Sequence, residues 1–449
     1  MNAIGASILV VLVLAVLISP QRWALLAMMA GVLFLTQMQQ VNVAGFNMFS
    51  IRFLELAGFF RVMARREFSF QHLNTVDHAF LLLNSYTTIV FLLRSTEGQA
   101  NMIGGTMDGL LCYFTFRGLL TDMEDLHWFL RAFIFLLAPY MLLVVMESVT
   151  WHNPFSVLGA VDGGAFWSRH GRPRCFGSFR QPDTLGMFAA SFIPLFVGMA
   201  CVAKERARAL IAISLCLIIV WAANAGGAAG AAVTGLACWG FWFVRMKMRK
   251  VRRGIVAFIL LLTLLMKAPA WYIFSHVSNV TGGDGYHRSE LIDAAYRHLG
   301  EWWFAGMSFI DTKDWLPYTL SVGSGADITN QYIAFGLTAG LGAIALFVLL
   351  LTRAFSNLGR ALAVVRSGSQ PSVESEFLLW GLGVMLVVHI IDWFGITYFD
   401  QMYMVWFMQL AAIATLSQAC LARPAAAVEE DILKTEIEPE VEAPLKAES

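Results

Sequence analysis

The sequence predicts an all-α, polytopic membrane protein, and three observations carry that expectation. Charged residues make up only 14% of the chain, against about 25% in a soluble domain whose surface must face water. Mean hydropathy is +0.65, and apolar runs of bilayer length recur throughout the 449 residues. Most of those runs lack the polar face, repeating every 3.6 residues, that a soluble helix presents to water. A crossing takes about 20 mostly apolar residues, because only a helix of that length satisfies its own backbone across hydrocarbon.

Spans are expected near residues 3–19, 23–40, 51–63, 76–93, 105–120, 127–149, 184–203, 207–224, 227–244, 255–273, 330–352, 376–394 and 400–421. Residues 4–19 lack the basic start and small-residue cleavage site of a secretion signal, so they read as the first span. The third segment is short and holds Arg52, Glu55 and Arg61, which leaves a tilted, re-entrant or interfacial helix as an alternative. The total is about 12 or 13 crossings. They form a single transmembrane domain over residues 1–422, with no internal repeat.

The formal net charge of +0 conceals an asymmetry that orients the set. Arg61/Arg65/Arg66, Lys204/Arg206/Arg208, the dense run Arg245–Arg253 and Arg353/Arg360/Arg366 all lie between spans and all point to the cytoplasm. A basic run squeezed between apolar helices is a topology signal, so no nucleic-acid partner is expected. Two long loops, about 150–183 and 274–329, then fall on the extracytoplasmic face. Residues 423–449 hold Glu429, Glu430, Asp431 and five further glutamates with three prolines, and are expected to form a disordered, acidic cytoplasmic tail. The six cysteines form no CxxC pair, so neither a disulfide framework nor a metal cluster is supported, and no metal or cofactor is expected.

Membrane proteins keep polar residues for pathways, sites and topology, which directs attention to the two outer loops. The first packs Arg169, Arg172, Arg174 and Arg180 into a dozen residues before entering a span. Guanidinium groups are planar forks that grip phosphate oxygens in pairs, so a lipid-linked phosphate or diphosphate is the natural partner. Anionic headgroups of membrane lipids, or acids within the loop, are the alternatives. The second loop reads Thr281-Gly-Gly-Asp-Gly-Tyr-His-Arg-Ser-Glu, and from Arg288 onward it has helical spacing. Leu291, Ala294 and Ala295 share a face, Asp293 and Arg297 can pair, and Arg288 sits near the N-terminal end, where the helix field suits an anion. His287 stands beside it. The loop closes on Asp327-Ile-Thr-Asn330, where Asp327 can act as a base toward a sugar hydroxyl or cap the following helix with Thr329 or Asn330.

Taken together, three stretches resemble the O-antigen ligase and polysaccharide polymerase superfamily of bacterial envelope proteins. They are Arg174-Cys-Phe-Gly-Ser-Phe-Arg-Gln-Pro-Asp-Thr-Leu-Gly186, the Arg288 helix leading to Trp303-Phe-Ala-Gly306, and Asp327-Ile-Thr-Asn-Gln-Tyr-Ile with Gly336 and Gly340-Leu-Gly342 behind it. Their order and span context cover roughly residues 150–352. The resemblance implies a GT-C-like, multi-pass glycosyltransferase of the bacterial inner membrane, needing no metal. It would act on a polyprenyl-diphosphate-linked glycan donor and a glycan acceptor, alongside other envelope polysaccharide assembly proteins. It further implies that Arg174 and Arg288 hold the donor diphosphate, with Arg180 and Arg172 assisting and Asn330 at the substrate. Asp327 and His287 are the candidate catalytic groups. The chain departs from the family at Asp183, where Asn is usual, at Trp221–Gly230, where a Ser-Arg is missing, and at Thr329, where ligases carry a histidine. Thr329 cannot serve as a base near neutral pH. The leading expectation is therefore a polymerase of lipid-linked repeat units for exopolysaccharide or O-antigen synthesis. A ligase comes second, and a transporter or a non-catalytic envelope scaffold stands outside that chemistry.

Overall fold

A computed structural model describes every residue except 44–45, 165–166, 277–284, 317–324, 368–371 and 438–449, with backbone alone at 43, 46–47 and 423–437. The chain is 78% helical. Helices α1 (Ala3–Ile18) and α2 (Gln21–Phe34) precede a hairpin of β1 (Gln40–Val43) and β2 (Phe46–Phe49), in register with Gln40 opposite Phe49. Then come α3 (Ser50–Ala64), α4 (Thr75–Arg94), α5 (Gln99–Leu119) and α6 (Met123–Thr150). The first long loop contains the ribbon β3 (Ser168–Arg169) with β4 (Arg172–Pro173). It is followed by α7 (Pro182–Ala200), α8 (Arg206–Ala223), α9 (Gly226–Trp239) and α10 (Met248–Leu265). Helix α11 (Gly285–Arg297) belongs to the second long loop, and α12 (Gln331–Ser367), α13 (Val373–Asp392) and α14 (Gln401–Ile437) complete the chain.

Polar ties show that successive helices shuttle between two ends. At the loop end, Gln401 Nε2 donates to the carbonyls of Leu35 (3.1 Å) and Ser178 (2.8 Å), and Asn224 Nδ2 donates to Arg169 O at 2.9 Å. At the opposite end, Arg117 grips Asp77 with two bonds of 2.8 Å, Arg131 meets Glu205 at 2.8 Å, and Arg245 and Arg366 share Glu376. The basic clusters collect at that second end, as the charge asymmetry predicts for one membrane face. Arg61 there is fully buried, its guanidinium donating to the carbonyls of Val16 and Ser19 at 2.6 and 2.7 Å. It thereby satisfies backbone groups that the end of α1 leaves without helical partners.

Among the described residues, eight helical stretches are long and apolar enough to cross a bilayer, which makes this an all-α, multi-pass membrane protein. Of the about 12 or 13 crossings expected, α1, α2, α3 and α5 run between the two ends but fall short in length or composition. Helices α1 and α2 have 16 and 14 residues, α3 has 15, and α5 is diluted by glycines and by Asp108 and Arg117. The expected spans 227–244 and 255–273 form one helical run, Gly226–Leu265, tightened to 3₁₀ over Gly240–Lys247 with a kink at Val244. Met, Lys and Arg are good helix formers, and no Gly or Pro interrupts residues 241–253, so the basic run is helical instead of a loop. Helix α10 stops at Leu265, ahead of Pro269. The backbone of α14 stays helical to Ile437, into the segment expected as a disordered tail from residue 423, where Ala and Glu favour helix.

Helix α7 is the axis of the bundle, with most of its length buried between α8, α9 and α13. Between apolar helices in lipid, close approach of small residues replaces the hydrophobic drive. A Cβ on Gly186 would come within 2.5 Å of Ala228 Cβ, so α7 and the Ala-Gly-rich start of α9 touch backbone to backbone.

Helix α12 is broken at Ala339 and Gly340, the latter at φ 74°. The second long loop fills the break. Met307 N donates to Leu337 O at 3.0 Å, and Leu341 N donates to Trp303 O at 2.8 Å. Backbone freed from a helix in apolar surroundings needs such partners. Gly306 adopts φ 77°, and a Cβ there would sit 2.2 Å from Leu337 O, while one on Gly340 would sit 2.4 Å from Phe304 O. Gly306→Ala and Gly340→Ala are each expected to destabilise the protein by about 1–3 kcal/mol, as a drop in thermal unfolding temperature in detergent. For topology, exposed Cys201, between α7 and α8 at the basic end, should react with an impermeant maleimide only from the cytoplasmic side of sealed vesicles. Cys201→Ser should remove that signal; labelling from the outer side would invert the orientation.

Candidate functional site

The loop that enters α7 is held by a buried carboxylate. Glu147, in the last turn of α6, accepts the N–H groups of Phe176 and Gly177, each at 2.8 Å. Asn153 Nδ2 donates to Gly177 O at 2.9 Å, Tyr140 contacts Ser178, and Cys175 N donates to Ala222 O. Gly177 lies at φ 55° with the Tyr140 hydroxyl where a side chain would be, which explains the glycine. This cradle aims three predicted arginines. Arg174 pairs with Asp183 at 2.6 Å and is mostly buried. Arg180 pairs with Asp400 at 2.8 Å, an ion pair without a well-aligned hydrogen bond, and lies over Phe399. Arg172 stacks on Trp221 at 4.5 Å and donates to Asn224 Oδ1 at 3.2 Å.

In the second loop, α11 buries Leu291, Ala294 and Ala295 and pairs Arg297 with Asp293 at 3.0 Å, as the helical spacing predicts. Residues 281–284 and 321–324 of the expected motifs lie outside the described residues. Arg288 is half-buried, between the start of α9 and the connector from α13 to α14. A Cβ on Gly227 would lie 3.3 Å from its guanidinium nitrogen, and one on Gly395 would lie 2.7 Å from its guanidinium carbon. Its charge acts on the buried carboxyl of Asp392, yet it makes no direct ion pair among the described residues. The first turn of α9 has no side-chain cap, so its N–H groups and Arg288 form one electropositive corner.

His287 and Asp327 come together. His287 is buried, its Nε2 3.2 Å from the Asp327 carbonyl and 3.9 Å from the Asp327 carboxylate, which is largely exposed. Asn330 is committed elsewhere: its Oδ1 accepts the N–H groups of Tyr332 and Ile333, capping α12, and its Nδ2 reaches Phe394 O. Thr329 buries a hydroxyl with no hydrogen-bonding partner.

Sequence reasoning missed the hub of this end, the connector Trp393–Asp400. Trp393 O accepts Gln331 N–H, Thr397 donates to Ile328 O at 2.6 Å, Tyr398 N donates to Gln331 Oε1, and Asp400 meets Arg180. Burial lifts the Asp400 carboxyl above its ordinary range, with Arg180 opposing the shift. An acid immediately before a span was the available signal. His389 and Asp392, the ionisable residues conspicuous in the late spans, are both buried. His389 is bonded to Tyr398 and Gln409 as part of the core.

A cavity of about 640 Å³ opens beside this hub, walled by α3, α4, α5, α12 and α14, and by Arg180 and Asp400. Among the described residues, no group of three or more His, Cys, Asp or Glu is placed to hold a metal ion.

No protein-family model matches this chain, and no curated protein matches it. The fold defines a class, a multi-pass, all-α membrane protein. Glu147→Gln keeps the size but replaces one acceptor oxygen with a donor facing an N–H group. It should cost about 1–3 kcal/mol of thermal stability.

Proposed function

We propose that this protein is a membrane glycosyltransferase that polymerises polyprenyl-diphosphate-linked oligosaccharide units at the outer face of the bacterial inner membrane. The observation that carries the reading is Arg288, a half-buried guanidinium without a direct carboxylate partner among the described residues, set against the uncapped N-terminus of α9 at the end where Arg172, Arg174 and Arg180 also lie. A diphosphate is the anion that such a corner suits, because forked donors and helix N–H groups both address its oxygens. Neutralising the diphosphate makes it a better leaving group as an acceptor hydroxyl attacks the anomeric carbon. Asp327 supplies an exposed carboxylate to take the hydroxyl proton, with His287 3.9 Å away.

The ion pairs of Arg174 with Asp183 and Arg180 with Asp400 fit this reading as ready-made counterions that a bound diphosphate would displace. Deleting the gene should leave single repeat units on the carrier lipid and remove long glycan. Arg288→Ala should reproduce that profile, with chain extension reduced by roughly 10²-fold or more. Long chains accumulating on the carrier would instead indicate a ligase, and an unchanged profile would overturn glycosyl transfer altogether.

A further inference from the structure

The cavity beside the hub reaches from the loop end toward the middle of the bundle. Its walls come from the starts of α3, α5 and α14, the middle of α4 and the first half of α12. At about 640 Å³ it falls within the range of small-molecule sites, about 300–1,000 Å³. Its lining has two characters. Phe335, Tyr403, Trp406 and Phe407 present aromatic surface, while Asn84, Thr106, Thr338 and Gln331 present neutral hydrogen-bonding groups.

Five charged side chains share the wall, and Arg180 and Asp400 pair with each other. Arg52 grips Asp108 with two bonds, 2.6 and 2.7 Å, so that pair is internally compensated. Glu55 is different: it is 96% buried, lines the cavity, and its Oε2 has no hydrogen-bond partner among the described residues. A buried carboxylate oxygen without a donor is costly, and such groups in native structures call for an explanation. A hydrocarbon tail in the cavity would leave that cost standing. A ligand with apolar faces and several hydroxyl donors would remove it, stacking on the aromatic rings and donating to Glu55 and to the outer edge of Asp108. That description is a sugar ring.

We propose that this cavity is a saccharide-binding site, with Glu55 accepting hydrogen bonds from the sugar hydroxyls and the aromatic wall covering its ring faces. Resting on the glycosyl-transfer reading, the bound sugar is the terminal unit of the acceptor glycan. Arg180, in the wall and at the loop end, marks the side that faces the donor corner.

The test uses the full-length protein in lipid nanodiscs. The probe is the repeat-unit oligosaccharide released by mild acid from the carrier lipid of the expressing cells. Tryptophan fluorescence reports binding, since Trp393 and Trp406 line the cavity. Wild type should bind saturably. Glu55→Gln should raise the apparent Kd about tenfold, the loss of one hydrogen bond to a charged group. Ala334→Phe fills the cavity without changing any charge and should abolish binding, which keeps the test decisive if the Glu55 variant fails to fold. Both variants should shorten the glycan made in cells. Absence of saturable binding by wild type, or unchanged binding in both variants, overturns the site. If Arg288→Ala abolishes polymer while the cavity variants make chains of normal length, the acceptor assignment fails and glycosyl transfer stands. If gene deletion leaves the glycan untouched but the probe binds wild type and not Ala334→Phe, glycosyl transfer fails and the saccharide site stands.

Discussion

Backbone groups that leave helical pairing in apolar surroundings must find partners inside the protein, and the loop end of this bundle is organised by how they do so. Glu147 takes two N–H groups of the loop that enters α7. Trp303–Met307 completes the hydrogen bonding of α12 where that helix breaks. Asn330 caps the start of the same helix and holds the α13–α14 connector through Phe394. Each tie joins segments distant in sequence, so the irregular parts of the chain become the ordered parts of the site. The cost of an unpaired amide in a low-dielectric interior is what gives these ties their directing force.

The arginines show how burial and pairing divide residues of one type into different roles. Arg61 and Arg117 are buried structural cations at the basic end, satisfied by carbonyls and by Asp77. Arg174 and Arg180 are held at the loop end by Asp183 and Asp400, which compensate their charge. Arg288 is held by shape, between two glycines whose missing side chains make room for it. In the proposed function, a charge without a direct counterion among the described residues would take an anion more readily than a paired one, because no existing bond must first be exchanged.

The same connector that touches Arg288 also carries Asp400 into the cavity wall, so the electropositive corner and the aromatic cavity share one short segment, Trp393–Asp400. Two chemically distinct surfaces are thereby held at fixed separation. The connector is itself anchored by Gln331, Ile328 and Gln401. For the glycosyl transfer proposed above, such a junction would position an anionic donor and a hydroxylated acceptor together, as productive geometry demands.

Composition and period were enough to determine the fold class, the clustering of basic residues at one face and the helix after Arg288, because apolar run length, charge placement and i,i+4 spacing are local properties. They were not enough for the helix ends. Residue charge alone broke Gly226–Leu265 in two, whereas helix propensity carries the helix through the basic run. The arginine-rich loop and the pair His287 and Asp327 were legible as polar outliers in apolar sequence. Their partners were not. Asp183 lies nine residues from Arg174, but Asp400 lies 220 residues from Arg180, and Gly395 lies 107 residues from Arg288. Glu147, Glu55 and Asp108 looked like ordinary acids at helix ends or within a doubtful span. Only the three-dimensional fold, by bringing helix ends together and excluding water from them, decided which carboxylates would be paired, which amides they would hold, and which one would face a cavity alone.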